Sequence, residues 1–160
     1  MQDEAQVIEG LVNQWLYLTR PTPPKSQPIK LASVLIETLA VLKAQTDHAN
    51  VQVMTEIQDE AVLISGDRAR LQQAFRNIVL NAIQAMPRGG KLRVSLRSDE
   101  KHCRLSFQDS GQGFSMDALA HGADLFYSEK EGGMGVGLNV VQEIITAHGG
   151  TLKLSNHSAG

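Results

Sequence analysis

Residues 132–138 read Gly-Gly-Met-Gly-Val-Gly-Leu and open a helical pattern that runs over residues 136–148. Gly133, Gly135 and Gly137 leave the backbone without Cβ atoms where amide N–H groups begin to point outward. Bare amides and the positive end of a helix dipole suit a polyanion, and the same glycines also suit a plain flexible loop. A dinucleotide-binding fingerprint needs a strand before its glycines and an acid about 20 residues on. Here the charged, loop-like Ser128-Glu129-Lys130-Glu131 precede them, and the spacing is G-x-G-x-G. A P-loop fits no better, since no Gly-Lys-Ser/Thr follows.

Two further groups carry chemistry. Asn77 and Asn81 stand four apart, one above the other on a helix, beside its apolar stripe. Two amide oxygens there can complete an octahedral Mg²⁺ shell with waters and phosphates, since magnesium takes few protein ligands. Solvation, or a bond to neighbouring backbone, accounts equally for asparagines on a helix flank. Asp109-Ser110-Gly111-Gln112-Gly113 follows directly from a strand pattern. As a turn it needs no further explanation. In a pocket, the acceptor-only carboxylate of Asp109 can select an adenine through its exocyclic amine, with Gly111 and Gly113 letting the backbone lie close. Lys130, before the glycines, is either a point charge for a terminal phosphate or one charge in a polar loop.

The elements that must position these residues follow from periodicity. Val7, Leu11, Trp15 and Leu18 predict a helix over 5–18, broken by Thr19-Arg20-Pro21-Thr22-Pro23-Pro24, with Pro28 extending the interruption. A helix is expected over 31–47, then strands over 51–57 and 61–64 forming a hairpin through Gln58-Asp59-Glu60. Asp67 is the expected N-cap of a helix with a Leu71, Phe75, Ile78, Ala82 stripe, ended by Pro87-Arg88-Gly89-Gly90. Strands follow over 91–98 and 102–108, a long loop with one helical turn over 114–132, the helix at 136–148 and a strand over 151–155.

Composition narrows the classes. The chain has 160 residues, 42% hydrophobic and 20% charged, enough for one domain with a sizeable core and a short appendage. A formal charge of −2 gives no electrostatic case for nucleic acid or an anionic membrane. The single cysteine, Cys103, excludes an internal disulfide and a multi-cysteine zinc site, and points to a reducing compartment. No apolar run approaches the ~20 residues of a membrane span.

Asn77-Ile78-Val79-Leu80-Asn81-Ala82, Asp109-x-Gly111-x-Gly113 and Gly133-x-Gly135-x-Gly137-Leu138 resemble, in order, the N, G1 and G2 boxes of sensor histidine kinases. Phe126-Tyr127-Ser128-x-Lys130 resembles their F box, where Thr-Thr-Lys is more usual. The resemblance covers residues 30–155 and points to the catalytic ATP-binding domain of the GHKL superfamily, with a short lid like that of the nitrogen-regulation branch. It implies a Bergerat fold: a two-layer α/β sandwich with helices on one face of a mixed sheet and ATP between helix layer and lid. It implies Asn81 as principal Mg²⁺ ligand, Asn77 in support and Asp109 on adenine. Gly111 and Gly113 would shape the base pocket. Gly133, Gly135, Gly137 and Leu138 would form the lid's phosphate-binding entry, with Lys130 near the γ-phosphate. The implied organisation is 1–20 as part of the second helix of a dimerisation and phosphotransfer domain, 21–29 as linker and 30–160 as the ATP-binding domain, expected to lack its last strand.

The departures are specific. The family's phosphoacceptor His is followed by Glu or Asp, whereas His48, His102, His121, His148 and His157 precede Ala49, Cys103, Gly122, Gly149 and Ser158. Gln84 stands where a basic residue is common. The expectation is therefore a fragment of a cytoplasmic two-component kinase, its parent a homodimer, either membrane-anchored or soluble. Its partners would be the phosphoacceptor-histidine domain of the same parent and a response regulator, with no nucleic acid and no membrane contact. ATPases of gyrase and mismatch-repair type share the fold but place a glutamate base four residues before the magnesium asparagine, where this chain has Asn77. A non-catalytic nucleotide-binding module is the remaining alternative.

Overall fold

A computed structural model describes residues 8–9, 11–12, 15–16, 22–124, 127–128 and 137–157. Its strands are β1 (Gln27–Lys30), β2 (Val51–Ile57), β3 (Leu63–Gly66), β4 (Gly90–Ser98) and β5 (Cys103–Asp109). Its helices are α1 (Leu31–Val41), α2 (Lys43–His48), α3 (Arg68–Ala85), α4 (Met116–His121) and α5 (Gly137–Ala147). The described residues near the start, at 8–9, 11–12 and 15–16, are helical, with Ile8, Val12, Trp15 and Leu16 exposed.

The sheet is mixed, as expected. β4 lies at its centre, parallel to β2 and antiparallel to β5. Leu92, Val94 and Leu96 alternate along β4 and are fully buried, which fixes its register because a one-residue slip would turn all three outward. The helices pack together over one face: α3 lies against α1, α5 and β5. Val34, Leu35, Val79, Val140, Val141 and Ile144 are buried between the layers, and the Phe75 and Phe107 rings meet at 6.0 Å across the α3–β5 contact. This is the two-layer α/β arrangement of the expected fold class.

Four local expectations need correction. The hairpin between residues 51–57 and 61–64 does not form. β2 pairs in parallel with β4, and β3 pairs with β1 in a separate two-stranded sheet. A parallel pair needs a long crossover, and α3 supplies it. The bend at 58–60 is instead tied to β4, through Gln58 N–H on the Leu96 carbonyl at 3.0 Å and Ser98 Oγ on Asp59 Oδ2 at 2.8 Å. Second, Gln27, Pro28 and Ile29, assigned to the linker, belong to β1. Proline removes a ladder donor, which an edge strand tolerates, and β1 has β3 on one side only. Third, residues 151–155 form no strand. They keep the alternation, with Leu152 packed against the core, but are held by side-chain bonds: Asn156 Oδ1 accepts from Phe114 N–H at 2.7 Å and its Nδ2 donates to the Phe114 carbonyl at 2.8 Å. The helix expected over 31–47 is interrupted at Leu42, giving α1 and α2.

Candidate functional site

α3 is the floor of the site, and its start is built by Asp67. The carboxylate of this N-cap accepts from the Arg70 amide at 3.3 Å and from the Lys25 amide at 2.9 Å. Burial pushes the Asp67 pKa up, but these two amides and the charge of Arg70 outweigh it and hold the group below the ordinary aspartate value. Eighteen residues then run to Ala85, carrying Asn77 and Asn81 on one face.

Asn77 is buried to 9% exposure and its Nδ2 donates to the Gly137 carbonyl at 3.4 Å. The first residue of α5 therefore stands against the middle of α3. A Cβ added to Gly137 would meet no atom of the described residues within 4 Å. Asn81, half-buried, lies one turn further along α3. Another turn on, the loop after β5 closes over the helix end. A Cβ on Gly111 would stand 2.5 Å from the Ala85 carbonyl oxygen, so only glycine permits this approach. Asp109 shapes the same turn, its Oδ1 accepting from Gly111 N–H at 2.9 Å. Gly113 adopts φ +77°, the left-handed region that its turn requires. Ser110 locks the turn to β4, accepting from Lys91 N–H at 3.0 Å while Ser110 N–H donates to the Lys91 carbonyl at 3.0 Å.

Asn77, Asn81, the Asp109–Gly113 turn and the α5 start are thus assembled along one stretch of α3, from residue 77 to residue 85, roughly 12 Å at the helical rise. Leu138 sits half-buried beside Gly137. Lys130, Gly133 and Gly135 lie outside the described residues, as does Phe126. Of the expected F box, Tyr127 donates its amide to the Asp124 carbonyl at 3.2 Å, and its ring lies 6.2 Å from that of His121. His121 Nδ1 is in turn 2.9 Å from Asp124 Oδ2. Cys103 is half-buried on β5; burial, with the Asp59 charge, raises its thiol pKa, which suits packing rather than reactivity.

Two residues were not singled out by sequence for the positions they hold. Asn139, in the first turn of α5, donates from Nδ2 to the Ala123 carbonyl at 3.1 Å and so ties the segment after α4 to the helix. Its Oδ1 is buried with no hydrogen-bond partner among the described residues. A polar residue within Leu138-Asn139-Val140-Val141 was the available signal. His148, considered only as a phosphoacceptor, joins the end of α5 to Asp67.

Comparison with known proteins agrees with this architecture. Residues 66–160 match the family described as histidine kinase-, DNA gyrase B- and HSP90-like ATPase. Sporulation kinase E of Bacillus subtilis is 32% identical over 154 residues, 96% of this chain and 21% of that protein. Signal transduction histidine-protein kinase AtoS of Escherichia coli is 30% identical over 96% of this chain and 25% of its own length. The chain thus spans a quarter or less of either relative. The structure of histidine kinase ThkA in complex with response regulator protein TrrA superposes with a TM-score of 0.82 over 98% of this chain and 46% of that one. At 20% identity this last likeness is one of fold.

Proposed function

The chain belongs to the histidine kinase-, DNA gyrase B- and HSP90-like ATPase family, and from that premise we propose that it is the ATP-binding catalytic domain of a two-component sensor histidine kinase. It donates the γ-phosphoryl group of Mg-ATP to a histidine on a phosphoacceptor domain of its parent, which passes the group to a response regulator. The observation that carries this reading is the meeting of two separate segments on α3: the start of α5 at Asn77, one turn from Asn81, and the Asp109–Gly113 turn seated on Ala85. The relatives' printed names, sporulation kinase and histidine-protein kinase, support the choice within the family.

The donor set fits magnesium. Asn81 and Asn77 offer hard amide oxygens from one helix face, beside the start of α5 at Gly137. A bound Mg²⁺ supplies charge neutralisation and orientation of phosphates. The chain's own groups do the rest. The Asp109 carboxylate accepts from adenine, the Gly111 and Gly113 backbone admits the base, and the amides entering α5 at Gly137 and Leu138 face phosphate together with Gly133, Gly135 and Lys130. Transfer goes to an external nucleophile and not to water, because Asn77 occupies the place of a glutamate base. The domain acts in the cytoplasm, where ATP is present; no helix among the described residues is long and apolar enough to cross a membrane. The parent works as a homodimer.

Calorimetric titration tests this. The chain should bind Mg-ATP, and Asn81→Ala should weaken binding about tenfold or more, the size of a lost charge-assisted contact. Absence of binding by the unaltered chain overturns the proposal.

A further inference from the structure

Among the described residues, directional bonds tie α5 to α3 near both of its ends. Near its start the Gly137 carbonyl accepts from Asn77 Nδ2 at 3.4 Å, and at its end His148 Nε2 accepts from the backbone N–H of Asp67 at 2.9 Å. Between them the contact is apolar, made by Val140, Val141 and Ile144 against the buried residues of α3. Apolar burial is non-directional, so such a stripe specifies how close two helices lie more firmly than how far one has slid along the other. The bonds add a directional constraint on register to that packing.

His148 is built for that task. Its Nδ1 donates to the Ile144 carbonyl of its own helix at 2.7 Å, which leaves Nε2 as the acceptor in the neutral ring. Both nitrogens are therefore committed, one to α5 and one to the entry of α3. Asp67 is itself a fixed reference point: Lys25 N–H and Arg70 N–H hold its carboxylate, and Arg70 Nη2 reaches Thr22 Oγ1 at 2.6 Å. The separations on the two helices agree: Asp67 to Asn77 is roughly 15 Å and Gly137 to His148 roughly 16 Å at the helical rise. The helices run antiparallel, with His148 at the end of α5 remote from the asparagines.

We propose that His148 is a positioning residue for the nucleotide site, pinning α5 to the start of α3 so that Gly137 and the amides after it are held beside Asn77 and Asn81. Its functional consequence rests on the ATP-binding reading above; its structural consequence does not.

Two substitutions in the full chain separate the hydrogen bond to Asp67 from simple packing. In His148→Gln the amide oxygen reaches the place of Nε2 and keeps an acceptor for Asp67 N–H. In His148→Asn the amide nitrogen takes the place of Nδ1, keeping the bond to Ile144 and losing the one to Asp67. The measurements are Mg-ATP affinity and, without nucleotide, amide exchange at residues 137–141, both below the melting temperature of each variant. His148→Asn should raise the Mg-ATP Kd roughly fivefold, as expected for one lost hydrogen bond, and speed exchange at 137–141 by a similar factor. His148→Gln should restore both to within about twofold of the unaltered chain. Equal losses in the two variants would assign the effect to the ring's packing and overturn the proposal. Unchanged affinity and exchange in His148→Asn would overturn it as well. Should the unaltered chain bind no Mg-ATP, the nucleotide reading fails, and exchange at 137–141 still decides whether His148 sets the register.

Discussion

Asp109 holds a turn and is also the residue proposed to accept from adenine. Its Oδ1 already accepts from Gly111 N–H, so Asp109→Asn can keep the turn while presenting an N–H donor where the adenine amine needs an acceptor. The substitution should leave the melting temperature nearly unchanged and cost about 1–3 kcal/mol of ATP binding. Equal ATP affinity by calorimetry would count against the adenine role. Asp67 gives a prediction of stability. Asp67→Ala removes the cap for Arg70 N–H and the tie to Lys25, and should cost about 1–2 kcal/mol at neutral pH by denaturant melts. Because the folded pKa lies below the unfolded value, the stability from the charged form is complete above the unfolded pKa of about 3.9 and is lost as pH falls through the folded one. The gap between Asp67→Asn and the unaltered chain should therefore close below about pH 4. A gap that stays constant from pH 7 to pH 3 would show that the charge adds nothing.

Among the elements, α4 and α5 flank the segment expected to form the lid. α4 starts at a Ser115 cap that accepts from Ala118 N–H at 2.9 Å; its first residue, Met116, is 82% exposed, and Ala118 is its buried residue. The Asn139 bond to Ala123 is what joins this segment to α5. Addition of a Mg-ATP analogue should slow amide exchange over residues 114–124, and identical exchange with and without it would refute nucleotide ordering of this segment. Without nucleotide, Asn139→Ala should speed exchange at 121–124 several-fold while β4 amides, in the core of the sheet, stay protected. The same mass-spectrometric measurement reads both effects, and equal exchange in the variant would remove Asn139 from this role.

For the whole molecule, catalysis by phosphoryl transfer is mostly the positioning of a nucleophile in line with the γ-phosphate. None of the five histidines of this chain is followed by Glu or Asp. Incubated with labelled ATP, the chain should stay unlabelled; a separate polypeptide carrying a His-Glu or His-Asp helix should become labelled, and Asn81→Ala should abolish that transfer. Acid-labile, stoichiometric labelling of the chain alone would place the acceptor within it. What could be read in advance divides along a physical line. Helix periodicity, the Asp67 cap, the Pro87–Gly90 stop, the β4–β5 turn and the order of the asparagine, aspartate and glycine boxes are local, encoded within a few residues of where they act. Partner choice among strands is not local. Residues 51–57 and 61–64 carry strand patterns that fit a hairpin equally well, and only the packing of α3 across the sheet sends β2 to β4 and β3 to β1. The same limit applies to the strand pattern of residues 151–155, which gains no ladder, and to Pro28, whose edge position shows only once β1 has a neighbour on one side. His148 and Asp67, 81 residues apart, meet because two helices share one face of a sheet. The residue types proposed to bind Mg-ATP are therefore written in the sequence, and the register that brings Asn77, Asn81, the Asp109–Gly113 turn and Gly137 to one stretch of α3 is decided by tertiary packing, because hydrogen bonds between distant backbone segments have no signature in either segment alone.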